Sequence, residues 1–315
     1  MTSNTTTKSI SQEFYGKGKL LITGEYGVLD GALAFAVPTR LGQSMVVKKH
    51  RSSDIHWISY DNKGEKWFES KIAIIDFKPT STTDEEISKN LTKLLKSAVR
   101  LNSEFLDKWN GFKVQTTLEF DRQWGLGSSS TLTHMVAEWA EVHPLSLHFK
   151  ASHGSGFDVA CAGANSPILY QINDDSIHYE PLDPFRPKFG DNLFFVYLNQ
   201  KQSTNSSIDY YTKKVKGKKS LAKNLTDLTE SLIECKTLSS FDKIIDEHET
   251  VLSKSLGIDP IKSLQFNDYW GSMKSLGAWG GDFILATSNR DKEETLKYFK
   301  EKGYETVLSL EEILI

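Results

Sequence analysis

The stretch DRQWGLGSSSTLTHMVAEWA, residues 121–140, joins a loop of small residues to an amphipathic helix. The loop, GLGSSS at residues 125–130, has almost no side-chain bulk and carries three hydroxyl groups. The apolar residues that follow recur at helical spacing and form one stripe: Leu132, Met135, Val136 and Trp139. The loop therefore opens onto a helix N-terminus, where backbone N–H groups and the helix dipole favour a bound anion.

A half-buried strand is predicted before this loop. Apolar and more polar residues alternate from Phe112 to Phe120, which is the period of a strand with one buried face. The resulting strand, loop and helix can surround a di- or triphosphate with backbone amides, while the Ser129 hydroxyl binds Mg²⁺. The predicted phosphate-binding residues are Gly125, Leu126, Gly127, Ser128, Ser129 and Ser130.

Two common kinds of nucleotide site do not fit this loop. A Walker-type loop has a Lys directly after its last glycine, and here Ser128 follows Gly127. A dinucleotide fingerprint needs a third glycine and a downstream acidic residue within a βαβ unit, and both are missing. An NAD-linked oxidoreductase is therefore disfavoured.

Composition limits the classes of partner. The chain has 315 residues, of which 38% are hydrophobic and 25% charged, as in globular proteins with a substantial core. A formal net charge of -3 gives no general attraction for nucleic acid or for an anionic membrane surface, so neither is expected as a partner. Two cysteines without metal-ligand spacing, and the lack of a signal peptide or a long apolar run, predict a cytoplasmic protein.

The order of predicted elements indicates an α+β fold with two domains. Short strands are predicted at Ser44–Lys49 and His56–Tyr60, and the apolar stripe from Ile87 to Val99 predicts a helix. The second half alternates strands with helices, as an α/β sandwich does. A Pro and a Gly near residues 185–190 suggest the boundary. We therefore predict a flexible tail at residues 1–12, an N-terminal domain at 13–188 and a C-terminal domain at 189–315.

Three further glycine-rich stretches accompany the phosphate loop. The first, Gly18 to Leu29, reads GKLLITGEYGVL, and the second, GSGFD at residues 154–158, ends in an acid. The third, Gly277 to Asp282, reads GAWGGD. Each alone mostly indicates a turn, but together they form a more specific pattern.

In this order, the four stretches resemble the motifs of the GHMP kinases, the superfamily of galactokinase, homoserine kinase, mevalonate kinase and phosphomevalonate kinase. The resemblance implies an N-terminal domain like ribosomal protein S5 domain 2 and a C-terminal ferredoxin-like domain. It also implies that ATP, Mg²⁺ and a small alcohol or phosphorylated alcohol are bound. The chain is then expected to be a monomer or a homodimer.

The resemblance also assigns roles to residues. Asp158 would accept the proton of the substrate hydroxyl, and Lys19 would pair with Asp158 and neutralise charge on the transferred phosphoryl group. Ser129 would be the metal ligand. The predicted substrate-binding residues are Lys19, Glu25, Tyr26, Ser155, Gly156, Gly277, Ala278, Trp279 and Gly280.

The substrate is expected to belong to isoprenoid precursor synthesis. Tyr26 stands where mevalonate kinases usually have His, and both the GSGFD stretch and Asp282 look like the phosphomevalonate kinase branch. We therefore favour phosphomevalonate over mevalonate by a small margin. A phosphorylated substrate needs cations, for which the candidates are Arg40, Arg122, His153 and Lys201.

Two alternatives remain open. One is a homoserine- or sugar-type kinase of the same superfamily. The other is a catalytically silent relative that only binds a nucleotide, because the segment between Ser129 and Asp158 is short and has no acid where mevalonate kinases place a second Mg²⁺ ligand. His148 and Phe149 lie near that position.

Overall fold

The computed structural model of the protein describes residues 11–107, 110–173, 176–200, 204–215, 217, 219–277 and 282–315. The strands are β1 Ser11–Thr23, β2 Ala34–His50, β3 Asp54–Tyr60, β4 Lys66–Ala73, β5 Pro79–Thr82, β6 Gly111–Leu118, β7 Ile168–Asn173, β8 Ser176–Pro181, β9 Leu193–Tyr197, β10 Met273–Leu276, β11 Phe283–Thr287 and β12 Val307–Ser309. The helices are α1 Glu85–Leu101, α2 Ser128–Trp139, α3 Pro144–Ala151, α4 Phe157–Ala162, α5 Thr204–Lys214, α6 Lys219–Glu234, α7 Leu238–Leu256, α8 Ile261–Gln265, α9 Lys292–Glu301 and α10 Leu310–Ile313.

The described residues group into two compact units that interleave along the chain. Unit 1 contains residues 11–16, 42–122 and 128–159. Unit 2 contains residues 17–41, 123–127 and the described residues from 160 to 315. The domain boundary between residues 188 and 189 and the flexible tail stay predictions.

Unit 1 is a sheet packed against helices. Its strands are ordered β5-β4-β3-β6-β2, with β3 parallel to β6 and the other pairs antiparallel. In the turn between β3 and β4, the Asp61 N–H donates to the Glu65 carbonyl at 3.0 Å. Asp84 is the N-cap of helix α1, and its side chain accepts a hydrogen bond from the Ile87 N–H at 3.0 Å. Its predicted apolar stripe is buried in the unit's core, which also includes Trp57 and Met135.

Unit 2 contains a further part of the sheet to which β2 belongs and one separate sheet. In the first, the N-terminal end of β2 pairs with β7 through Ala34–Ala36, and β7 forms an antiparallel hairpin with β8. In the second, the order β10-β11-β9-β12 is antiparallel throughout. In chain order this sheet reads strand, helices, two strands, helix, strand, which is the ferredoxin-like arrangement. The predicted α+β class is therefore confirmed.

Short elements with mixed polarity differ most from the sequence-based expectation. Strand β10 was not predicted, because two of its four residues, Lys274 and Ser275, are polar although both are buried. Helices α3 and α4 were also not predicted, and α4 carries Asp158 in its first turn. Within the described residues, no helix combines the length and the apolar character needed to cross a membrane.

Candidate active site

The loop at residues 125–127 has a backbone that only glycine adopts easily. Gly125 and Gly127 have φ values of 65° and 93°, in the left-handed region. A Cβ atom at Gly125 would lie 2.1 Å from Oδ2 of Asp282, the last residue of the third additional motif. Small residues at this loop therefore reflect both its backbone conformation and the close approach of Asp282.

Lys19 contacts this loop within unit 2. Its backbone N–H donates to the Leu126 carbonyl at 2.9 Å, and its Nζ donates to the Gly125 carbonyl at 3.1 Å. The side chain is half-buried. The structure thus brings together one predicted catalytic residue and the predicted phosphate-binding loop.

The hydroxyl groups of the loop lie at the beginning of α2, in unit 1. Helix α2 begins at Ser128, so all three serines belong to its first turn. Ser129 is exposed and Ser130 is buried. Thr131 donates to the Ser128 carbonyl at 3.0 Å and lies 2.6 Å from Gln43 Oε1, which links this turn to β2. The exposed Ser129 hydroxyl suits the predicted metal role.

Asp158 lies in unit 1, in the first turn of α4, and is half-buried. Its Oδ1 accepts a hydrogen bond from the Val159 N–H at 3.0 Å. The preceding Gly156 has a φ of 82°, and a Cβ there would lie 3.0 Å from Leu145 and 3.2 Å from His148. The glycine-rich stretch therefore lets the chain pass closely over α3 before Asp158. Because Lys19 belongs to unit 2, its pairing with Asp158 stays a prediction.

His148 lies near the position at which the sequence lacks the acid expected as a second Mg²⁺ ligand. The residue is 6% exposed, and its Nδ1 lies 2.9 Å from the Ser152 hydroxyl. Nε2 is buried without a hydrogen-bond partner among the described residues. Among all the residues that the structure describes, no group of three or more His, Cys, Asp or Glu side chains could hold a metal ion. Ser129 thus remains the predicted protein ligand for Mg²⁺.

The first motif contains a turn of unit 2 at residues 24–27, which we call the first-motif loop. The Gly24 N–H donates to His248 Nε2 at 3.2 Å. The Glu25 carboxylate forms an ion pair with Lys274 and is 2% exposed. Tyr26 is buried, and its ring stacks on Tyr211 with centroids 5.3 Å apart. The predicted substrate-binding roles of Glu25 and Tyr26 stay predictions.

Glu25 belongs to a buried charge cluster in unit 2, formed by Glu25, His248, Glu249 and Lys274 and called here the Lys274 cluster. Each of the four side chains is at most 3% exposed. Lys274 Nζ lies 4.0 Å from Glu249 Oε1 and donates to the Ser275 carbonyl at 3.0 Å. One ammonium group is therefore shared by two buried carboxyl groups.

The charges of the cluster follow from burial. Desolvation raises the pKa of Glu249 to about 8, although Lys274 opposes this rise. Burial likewise raises the pKa of Glu25, against the attraction of Lys274. Burial and the Lys274 charge lower the pKa of His248, and its Nε2 accepts the Gly24 N–H, so the ring is neutral. Its 3.4 Å approach to Glu25 is then a contact and not an ion pair.

A Glu249→Gln substitution should change how stability depends on pH. The raised pKa of Glu249 gives a contribution that is full below the unfolded pKa near 4.3 and is lost as pH rises towards 8. Gln does not titrate, so the free energy of unfolding of the variant should match that of wild type near pH 4 and exceed it at pH 8 by on the order of a few kcal/mol. Urea unfolding across this range measures the difference.

Glu247, on the exposed side of the same helix, provides the control for that measurement. A Glu247→Gln protein should follow the wild-type pH profile. A constant offset between Glu249→Gln and wild type at every pH would contradict the raised pKa of Glu249.

The sequence gives a weak signal for this cluster that motif reasoning missed. The buried positions of α7 are Phe241, Ile245, His248, Glu249, Leu252 and Leu256. Their spacing is that of one helix face, so two ionisable residues lie on an otherwise apolar stripe. Ionisable residues on a buried helix face indicate a buried polar partner, which here is the buried Lys274.

The remaining predicted residues are divided between the two units or lie outside the described residues. Gly277 has a φ of 74°, and Ala278, Trp279 and Gly280 lie outside the described residues, as does Lys201. Arg122 stacks over the Trp67 ring at 3.8 Å in unit 1. In unit 2, Arg40 donates to the Glu311 carbonyl at 2.6 Å. The cation candidates for a substrate phosphate thus stay predictions.

Comparisons with known proteins rest on structure. No family model and no curated protein sequence matches the chain. The fold is similar to that of the galactokinase of Lactococcus lactis complexed with galactose, with a TM-score of 0.71 at 14% identity over 97% of this chain and 93% of that one. The phosphomevalonate kinase of Streptococcus pneumoniae, complexed with phosphomevalonate and AMPPNP, gives 0.70 at 15% identity over 96% and 100%.

The mevalonate kinase of Methanococcus jannaschii is similar as well, with a TM-score of 0.65 at 16% identity over 96% of this chain and 98% of that one. These matches extend along nearly the whole of each chain, at identities that are informative about fold alone. The chain therefore has the fold of the GHMP kinase superfamily, as its sequence motifs predict.

Proposed function

We propose that the protein is an ATP-dependent phosphotransferase that acts on a small acceptor molecule. The observation that carries the proposal is the contact of Lys19 with the Gly125–Gly127 loop, directly before a helix N-terminus. A cation, backbone amides and a helix dipole at one loop are what a transferring phosphoryl group requires, because phosphoryl transfer depends mainly on positioning and charge neutralisation.

Each residue of the proposed site has a distinct task. The amides of residues 125–130 hold the phosphates of ATP, and Lys19 neutralises charge beside them. Ser129 would offer a hydroxyl ligand to Mg²⁺, which would supply positive charge that offsets the phosphates. Where the acceptor atom is a hydroxyl, Asp158 accepts its proton as the new oxygen–phosphorus bond forms, while the bond between the γ-phosphorus and ADP breaks and ADP leaves.

For the acceptor, we propose a compound of the mevalonate pathway, with phosphomevalonate slightly ahead of mevalonate. Tyr26, Asp282 and the GSGFD stretch support the phosphorylated compound. The structural neighbours include enzymes named for either compound and for galactose, so the fold itself does not discriminate between acceptors.

The two acceptors differ in their need for a base. A hydroxyl keeps its proton at neutral pH and requires Asp158, whereas a phosphate monoester, with a second pKa near 6, already presents an ionised oxygen. The dependence of turnover on Asp158 therefore reports which kind of acceptor atom is used.

ADP release with ATP and Mg²⁺, measured against mevalonate, phosphomevalonate, homoserine and galactose, tests the proposal. We expect turnover with one of the first two compounds, well above the rate without acceptor. Turnover confined to homoserine or galactose would contradict the pathway assignment. ATP binding without turnover of any acceptor would instead support a nucleotide-binding relative that lacks catalysis.

A further inference from the structure

Unit 2 fixes the first motif at two separate places. At one, Lys19 is bonded to the phosphate loop through its backbone N–H and its Nζ. At the other, the first-motif loop is bonded to the Lys274 cluster through Gly24 and Glu25. The two attachments use different residues and different partners, so a substitution can weaken one and leave the other in place.

The first-motif loop has a backbone that needs such an attachment. Tyr26 has a φ of 57°, which is uncommon for a residue with a side chain. Gly24 has a φ of 89°, and a Cβ there would lie 2.7 Å from the Cα of Ala34. A conformation of this kind persists only when its surroundings impose it.

The Lys274 cluster is not an arrangement that favours the stability of the fold. Three of its buried atoms have no hydrogen-bond partner among the described residues: Glu25 Oε2, His248 Nδ1 and Glu249 Oε1. Replacing a buried ion pair with well-packed apolar residues is often neutral or stabilising, and incompletely bonded networks are less favourable still. Stability therefore does not explain this cluster, and its contacts with the first-motif loop need a separate explanation.

We propose that Lys274 and His248 are positioning residues that hold the first-motif loop in the conformation that binds the acceptor. Lys274 anchors the Glu25 carboxylate, and His248 anchors the backbone of Gly24. The inference rests on the proposed function and on the predicted substrate-binding roles of Glu25 and Tyr26, which lie in this loop. The attachment at Lys19 uses other partners, Gly125 and Leu126, and we assign ATP binding to that attachment.

A double substitution, Glu25→Gln with Lys274→Met, separates positioning from stability. It removes both charges together and leaves neither buried without a partner. We expect kcat/KM for the acceptor to fall by about tenfold or more, because a displaced loop misplaces the acceptor, while KM for ATP stays within about twofold of wild type. Lys262→Met is the matched control, since Lys262 also donates to a carbonyl in unit 2, that of Gly271 at 2.6 Å.

A second pair of variants tests His248 without changing a charge. Gln retains an acceptor that can reach the Gly24 N–H, whereas Leu, of similar size, does not. His248→Leu should lower kcat/KM for the acceptor by about tenfold, and His248→Gln should retain most of it.

The outcomes separate the inference from the function on which it rests. Wild-type kinetics in the double variant, an equal rise of KM for ATP, or equal losses in both His248 variants would overturn the positioning role while the enzyme remains a kinase. A wild-type protein without turnover of any acceptor would overturn the proposed function and the inference together.

Discussion

An Asp158→Asn protein should transfer the phosphoryl group of ATP to a hydroxyl acceptor about 10²- to 10⁴-fold more slowly than wild type. The amide keeps the size of the carboxylate but cannot take up the proton that the hydroxyl must lose. Asp158 lies at the beginning of α4 and its Oδ1 accepts the Val159 N–H, a bond that the Asn oxygen can preserve. The fold and the binding of ATP should therefore remain close to wild type.

Initial-rate kinetics and calorimetric titration with ATP measure the two parts of this prediction. Asp107, an exposed residue of unit 1, provides an Asp→Asn control that should keep wild-type turnover. If phosphomevalonate is the acceptor, the loss should be clearly smaller than with a hydroxyl, because its phosphate is already ionised. A hydroxyl acceptor turned over at the wild-type rate would contradict the role of Asp158 as a base.

Replacing Lys274 with Met should lower the free energy of unfolding by about 3–5 kcal/mol. Lys274 is fully buried and forms an ion pair with Glu25, which is itself buried. Met fills a similar volume, so the main loss is electrostatic: the Glu25 carboxyl must stay buried without its partner or take up a proton. Urea unfolding followed by circular dichroism measures the change.

The double variant Glu25→Gln with Lys274→Met should recover most of that lost stability, because the buried charge is then absent. Lys262→Met, which removes a half-buried Lys that donates to a carbonyl, should cost about 1 kcal/mol or less. Equal destabilisation in the single and the double variant would show that Lys274 contributes through packing and not through its charge.

The sequence was sufficient for the parts of the fold that have regular patterns. Helix α1 and strand β6 were predicted from apolar periods of about 3.6 and 2 residues, and each is present within two residues of expectation. The glycine-rich loop before α2 was also predicted, because its left-handed residues Gly125 and Gly127 leave a direct mark on composition.

Contacts between distant residues could not be read in the same way. Lys274 was not predicted as buried, because its partners Glu25 and Glu249 lie 249 and 25 positions away and a lone Lys normally indicates an exposed surface. Likewise Glu25 was predicted as a substrate ligand from its motif, whereas its ion pair depends on the fold of unit 2. The acceptor itself also leaves no periodic mark on the sequence.

Phosphorus NMR of a mixture of ATP, Mg²⁺, the protein and either mevalonate or phosphomevalonate tests the central claim of phosphoryl transfer most directly. We predict that the γ-phosphate signal of ATP declines while a new acceptor signal grows at the same rate, a diphosphate signal from phosphomevalonate or a monoester signal from mevalonate. Bound ATP that stays intact with both acceptors, or that yields only inorganic phosphate, would contradict the account.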